Sequence, residues 1–225
     1  MYAPTRVISV SYGEAEADVS AAYQYRQCNE IMKLALQGHT IILASGDYGV
    51  ASFPGDPAPD GCLSANGQNN TIYNPDFTSS CPYITSVGGT QLYANQTVLN
   101  AESAMQDNLG PGAELFASGG GFSNRFKAPA YQKSAISTYF AKHDPGHPYY
   151  IAGPNGTGVG AHGGIYNRAG RGFPDVRYVM HISARDVNIL LTRIVAQMVP
   201  SSVLTRMAPT TTGSARVLQL RCGRL

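Results

Sequence analysis

Tryptophan is absent, lysine occurs only four times, and charged residues make up 13% of the 225 amino acids. Such a chain is neither a polyelectrolyte nor a coiled coil, both of which need far more charge. No stretch approaches the roughly 20 apolar residues of a membrane span, and the amino-terminal residues lack the basic-then-apolar order of an export signal. No membrane partner is expected. The hydrophobic fraction of 43% predicts a compact, monomeric core, and 25 Gly with 14 Pro predict many loops.

Absences also divide the chain. Residues 1–175 carry 9 Lys and Arg against 13 Asp and Glu, net −4, whereas residues 176–225 carry 7 Arg against the single Asp186, net +6. The second stretch has no Lys, no glycine before Gly213 and no aromatic residue after Tyr178. We expect one body over residues 1–176 and an Arg-rich tail over 177–225. Residues 186–199 of that tail have the spacing of one amphipathic helix stopped by Pro200. With no interleaved aromatics and no module signature, the tail does not predict nucleic-acid binding.

Within the body, Arg6–Ser11 is a short β-branched run and reads as a buried strand. Residues 20–37 lack Gly and Pro, with apolar positions at Val19, Ala22, Tyr23, Ile31, Leu34 and Ala35, and Gly38 stands where a helix ends. Thr40–Ala44 is a second strand, and the strand–helix–strand order implies a parallel crossover and an α/β fold. Pro82–Val87 reads as a third strand ended by Gly88-Gly89. The loop from Tyr48 to Ser80 is too long for a simple connection.

Four cysteines are present. Cys62 and Cys81 flank the end of the long loop and are expected to bond, worth about 3 kcal/mol by loop closure, with two free thiols as the alternative. Cys28, mid-helix, reads as a small buried hydrophobe, and Cys222 lies in the tail. Asn69, Asn95 and Asn155 begin glycosylation sequons.

Three further patterns carry less. His143 and His147 have metal-ligand spacing, but the intervening Asp-Pro-Gly breaks a helix, so a polar loop is expected and no metal site. Ser118-Gly-Gly-Gly-Phe-Ser123 lacks a phosphate loop's ending and reads as a tight backbone approach. Glu14 and Asp18 read as acids at a helix entrance.

Asp47, in Ala44-Ser-Gly-Asp-Tyr-Gly49, follows the second strand directly. Reactive groups collect at the carboxyl ends of parallel strands, so Ser11-Tyr12-Gly13 and Asp47 should share one rim. An Asp in such a turn is more often a turn-former.

Seven stretches together resemble the sedolisin (serine-carboxyl peptidase) family, above all its fungal tripeptidyl-peptidase-like members. They are Val7-Ile-Ser-Val-Ser-Tyr-Gly-Glu14, Tyr25-Arg-Gln-Cys-Asn-Glu-Ile-Met-Lys-Leu34, Leu43-Ala-Ser-Gly-Asp-Tyr-Gly-Val50, Asn74-Pro-Asp-Phe77, Ser80-Cys-Pro-Tyr-Ile-Thr-Ser-Val-Gly-Gly-Thr90, Ser118-Gly-Gly-Gly-Phe-Ser123 and Gly170-Arg-Gly-Phe-Pro-Asp-Val176. The resemblance implies an incomplete subtilisin-like parallel sheet with flanking helices, peptide or protein substrates, an acid working pH and an extracellular location. It gives Asp47 the role of oxyanion donor and Ser11, Tyr12 and Gly13 that of the strand pairing with substrate near the primary specificity pocket.

The family's general-base Glu and its supporting Asp precede that strand by more residues than stand before it here. Its Gly-Thr-Ser nucleophile segment and calcium loop find no match, and Thr212-Gly-Ser214 is only a loose echo. The chain alone is therefore expected to be inactive and to hold no cofactor. The alternative is a vestigial or peptide-binding relative.

Overall fold

The computed structural model describes residues 5–50, 71–92, 96–97, 99–108 and 115–179. Thirteen strands and two α-helices follow in order: β1 (Val7–Val10), β2 (Glu14–Ala15), α1 (Ala21–Leu36), β3 (Thr40–Ala44), β4 (Asp76–Phe77), β5 (Thr85–Gln91), β6 (Ser103–Ala104), β7 (Gln106–Asn108), β8 (Leu115–Ala117), β9 (Gly121–Lys127), α2 (Lys133–His143), β10 (Tyr149–Tyr150), β11 (Tyr166–Asn167), β12 (Gly170–Phe173) and β13 (Val176–Val179). The main sheet runs β1-β3-β5-β13, all parallel, with β6 antiparallel on β5. A parallel sheet with flanking helices is the expected α/β class.

Helix α1 starts at the Ser20 cap, whose hydroxyl accepts the Tyr23 N–H at 3.4 Å. Its buried face is Gln24, Cys28 and Ile31, the i, i+4, i+7 stripe, while Tyr23, expected to face the core, is 56% exposed. Gln24 is buried because its amide donates to the carbonyls of Glu16 at 2.6 Å and Val19 at 2.8 Å. Helix and sheet enclose a core of Ile31, Ile41, Leu43, Phe77, Ile84 and Phe126.

The cysteine pairing differs from the sequence expectation. Cys81 bonds to Cys28, not to Cys62, with Cα atoms 5.7 Å apart. Cys28 is thus a half-cystine rather than a plain buried hydrophobe. The cause is tertiary: docking α1 on the sheet turns Cys28, 1% exposed, toward the segment before β5, where Cys81 is fully buried. Closing this 53-residue separation contributes about 4 kcal/mol by the chain-entropy estimate. Cys62, Asn69, Asn95 and residues 180–225 of the tail, with the expected helix over 186–199 and Cys222, lie outside the described residues, whereas residues 177–179 belong to β13.

Strand β5 starts at Thr85, three residues later than expected, and runs through Gly88-Gly89 instead of stopping there. Gly88 is a site of close approach: a Cβ there would lie 2.6 Å from Pro174 Cγ. Pro174 belongs to the turn that delivers β13, which pairs with β5 from Val176↔Val87 to Val179↔Thr90 and so crosses the break in composition. Behind that turn the Arg171 guanidinium, fully buried, pairs with Asp175, whose carboxylate also accepts the Ser86 N–H at 2.8 Å and the Gln132 amide at 3.0 Å. The Gly170–Val176 stretch is therefore a structural bolt between β12, β13 and β5.

Candidate active site

Register builds the rim. Val10 of β1 lies opposite Leu43 of β3, so the residues that follow, Ser11-Tyr12-Gly13 and Ser45-Gly46-Asp47, leave the sheet at the same carboxyl edge. Ser11, Tyr12 and Gly13 are exposed, Tyr12 at 75%. The Asp47 turn is braced from behind: Asp47 C=O accepts the Ala117 N–H at 2.7 Å, and Gly46 C=O accepts the Gly119 N–H at 2.7 Å. A Cβ on Gly119 would lie 2.9 Å from Gly46 Cα, so Ser118–Ser123 is the tight backbone approach its composition suggests.

Asp47 keeps part of its surface in solvent, yet the surrounding protein removes enough water to raise its carboxyl above the ordinary range. A carboxyl that holds its proton can donate a hydrogen bond to a developing oxyanion, whereas a carboxylate would repel it.

Two acids missed by sequence reading stand behind this rim. Asp76 is 5% exposed, and its carboxyl is pushed up to about 7, chiefly by burial, with the Ser79 bonds opposing the rise and Glu16 and Asp47 adding to it. It fills the space that a Cβ would need at Gly13, where Oδ2 lies 2.8 Å from that position, and packs at ordinary contact distance beside Gly46, where Cγ lies 3.8 Å from the corresponding position. Glu16 is 1% exposed, and burial raises it too. One Glu16 oxygen takes the Ser123 hydroxyl, the other the Asn124 N–H at 2.8 Å. These bonds and the Arg125 guanidinium offset part of the rise.

The acids singled out in the sequence lie elsewhere. Glu14 is exposed on β2 opposite Phe77, and α1 has no acid in its first turn. The signal for Glu16 and Asp76 lies in pairing: Ala15 sits opposite Asp76, and Glu16 N–H donates to Pro75 C=O at 2.9 Å. Two-residue strands leave no periodicity from which to infer this.

Among the remaining motifs, α2 ends at His143 and Asp144 accepts the Gly146 N–H at 3.0 Å, so His143 and His147 do not share a helix. No cluster of three His, Cys, Asp or Glu side chains fit for a metal occurs among the described residues. Asn155 lies in a 3₁₀ turn, Pro154–Gly156. A separate cleft of about 540 Å³, lined by Tyr73, Phe122, Tyr139, His147 and Tyr166, contains neither Asp47 nor Ser11–Gly13. No helix among the described residues is long and apolar enough to cross a membrane.

No family model matches the chain. Individual proteins do. Aorsin of Aspergillus oryzae is 51% identical over 177 residues, 78% of this chain and 26% of aorsin. A tripeptidyl-peptidase of Aspergillus fumigatus, sed1, is 46% identical over 176 residues, again 78% of this chain and 26% of the relative. The chain thus spans about a quarter of the length of these relatives. Among solved structures, the serine-carboxyl proteinase sedolisin of Pseudomonas matches with a TM-score of 0.50 and 25% identity, over 77% of this chain and 38% of sedolisin. Identity at this level over more than three quarters of the chain places it in the sedolisin family of serine peptidases.

Proposed function

We propose that these residues serve an extracellular peptidase working at acid pH, in which Asp47 donates a hydrogen bond to the oxyanion and Ser11-Tyr12-Gly13 pairs with the substrate backbone. The observation that carries this reading is Asp47 itself. It leaves the carboxyl end of β3 beside Ser11–Gly13, with a carboxyl raised by burial. An acid working range follows, because the donor is lost when Asp47 ionises. The general base and nucleophile of the family have no counterpart in this chain, so the 225 residues alone do not hydrolyse peptides.

The test uses the full-length protein with peptide substrates. Asp47→Ala lowers turnover by roughly 10²–10³-fold with a smaller effect on KM, the usual result of deleting one oxyanion donor. Asp47→Asn keeps a donor that does not titrate, so it retains measurable turnover and extends activity toward neutral pH. If Asp47 only shapes its turn, Asn preserves rate and pH profile while Ala chiefly lowers the melting temperature. Wild-type turnover in a folded Asp47→Ala protein overturns the assignment.

A further inference from the structure

Asp76 has no place in the reading above, and its surroundings are unusual. It lies against both segments that form the rim, filling the space beneath Gly13 on one side and packing at ordinary contact distance beside Gly46 on the other. Every element packed on it contributes a group. From the β2 side comes the buried acid Glu16, from the turn after β3 the acid Asp47, and from its own turn the Ser79 N–H at 3.4 Å. Exposed Glu14 lies one pair along the β2–β4 ladder. The neighbouring cation, Arg125, faces Glu16, donating to its carbonyl at 3.2 Å. The Tyr150 hydroxyl, held protonated by burial and by Glu16, also stands on the Glu16 side.

We propose that Asp76 is a positioning residue: its protonated carboxyl clasps Ser11-Tyr12-Gly13 to the Ser45-Gly46-Asp47 turn at acid pH, and its ionisation releases them toward neutrality. Glycine at position 13 lets the carboxyl reach that backbone, and the Gly46 turn packs beside it. Once charged, it lies between Glu16 and Asp47 with little water to screen it. Burial and these two acids raise it to about 7 from an ordinary value near 4. A group raised on folding stabilises fully below its unfolded value, and that stability is lost as pH climbs through the folded value. The window therefore runs from about pH 4 to about pH 7. The consequence for turnover rests on the peptidase reading above; the clasp itself does not.

The experiment follows thermal unfolding of the full-length protein between pH 4 and pH 7.5, for wild type and Asp76→Asn. A shift of this size changes the folding equilibrium on the order of a thousandfold, so the melting temperature of a wild-type protein of several hundred residues falls by roughly 3–5 °C across the window. Asp76→Asn, which cannot ionise, has a measurably shallower slope, the remainder being that of Glu16, and the neutral limb of its peptidase profile rises relative to wild type. An undiminished slope in Asp76→Asn overturns the proposal. Should Asp76→Asn not fold, hydrogen exchange of the wild type decides. After correction for intrinsic rates, amides of residues 11–13 and 45–47 lose at least tenfold protection between pH 4 and pH 7, and unchanged protection refutes the clasp. A protein without peptidase activity that still shows the slope keeps the clasp and loses the function.

Discussion

Two carboxyls brace opposite supports of the main sheet, one open in part to solvent and one buried, and they are handled in opposite ways. Asp175 meets a cation, the fully buried Arg171, and also takes an N–H from Ser86 and an amide from Gln132. Asp76 meets two more acids and takes an N–H from Ser79 at 3.4 Å. In the first arrangement the charge is matched and hydrogen-bonded, which makes it a fixed bolt between β12, β13 and β5. In the second the charge is unmatched, so the proton stays on and the contact depends on pH. The first kind of acid holds a scaffold through a matched charge. The second ties the strand ends that carry Asp47 to the acidity of the medium.

Removing the cation is the severest way to break this contrast. Arg171→Met removes a buried guanidinium together with its charge-assisted bonds to Asp175 and to the Gly172 carbonyl, and should destabilise the protein by about 3–5 kcal/mol. Urea unfolding at pH 7 measures it. A loss below about 1 kcal/mol at pH 7 would show that the pair is not a bolt.

A smaller effect is expected from the disulfide, which lies on the side of the pH-dependent acids, between α1 and the segment joining β4 to β5. The double variant Cys28→Ala, Cys81→Ala loses up to about 4 kcal/mol, the loop-closure figure for this separation. Because a cystine carries no charge, this loss is the same at pH 4 and pH 7. A calorimetric loss that changes with pH would mean that the bridge, rather than the carboxyls, governs the acid response.

The contrast also shows which parts of the molecule can be read from sequence. Residues 40–44 form the second strand as their β-branched run suggests, and α1 ends at Leu36, with Gln37 as its cap before Gly38, because both signals are local. The position of Asp47 beside Ser11–Gly13 was equally legible, since it needs only two neighbouring parallel strands and the rule that their carboxyl ends share an edge. Partners in space were not. Cys28 finds Cys81 only after the helix docks, and Glu16 and Asp76 meet through the two-residue β2–β4 ladder. Gly88-Gly89, taken from sequence as a stop, continues β5 because Pro174, 86 residues later, needs the space.

Glu16 allows the finest comparison, because two forces on one carboxyl oppose each other. Its hydrogen bonds favour the ionised form: Ser123 Oγ already accepts the N–H groups of Arg125 at 3.1 Å and Phe126 at 2.8 Å, so the hydroxyl has only its proton to offer Glu16. Burial favours the neutral form and outweighs these bonds, since the carboxyl is raised overall. Glu16→Gln tests this balance. Its amide oxygen can accept the Asn124 N–H, but its NH₂ then faces a Ser123 oxygen with no lone pair free, and one buried donor left unmade costs about 1–3 kcal/mol. The cost depends on pH through the wild type alone. Raised on folding, Glu16 stabilises the wild type below its unfolded value, and that contribution fades as pH climbs through the folded value. The variant has no such dependence, so the gap between the two proteins is widest at pH 4 and narrows toward neutrality. Chemical unfolding at pH 4, 5.5 and 7 reads that gap. A gap that instead widens with pH would mean that the hydrogen bonds outweigh burial, placing Glu16 with Asp175 among the fixed supports.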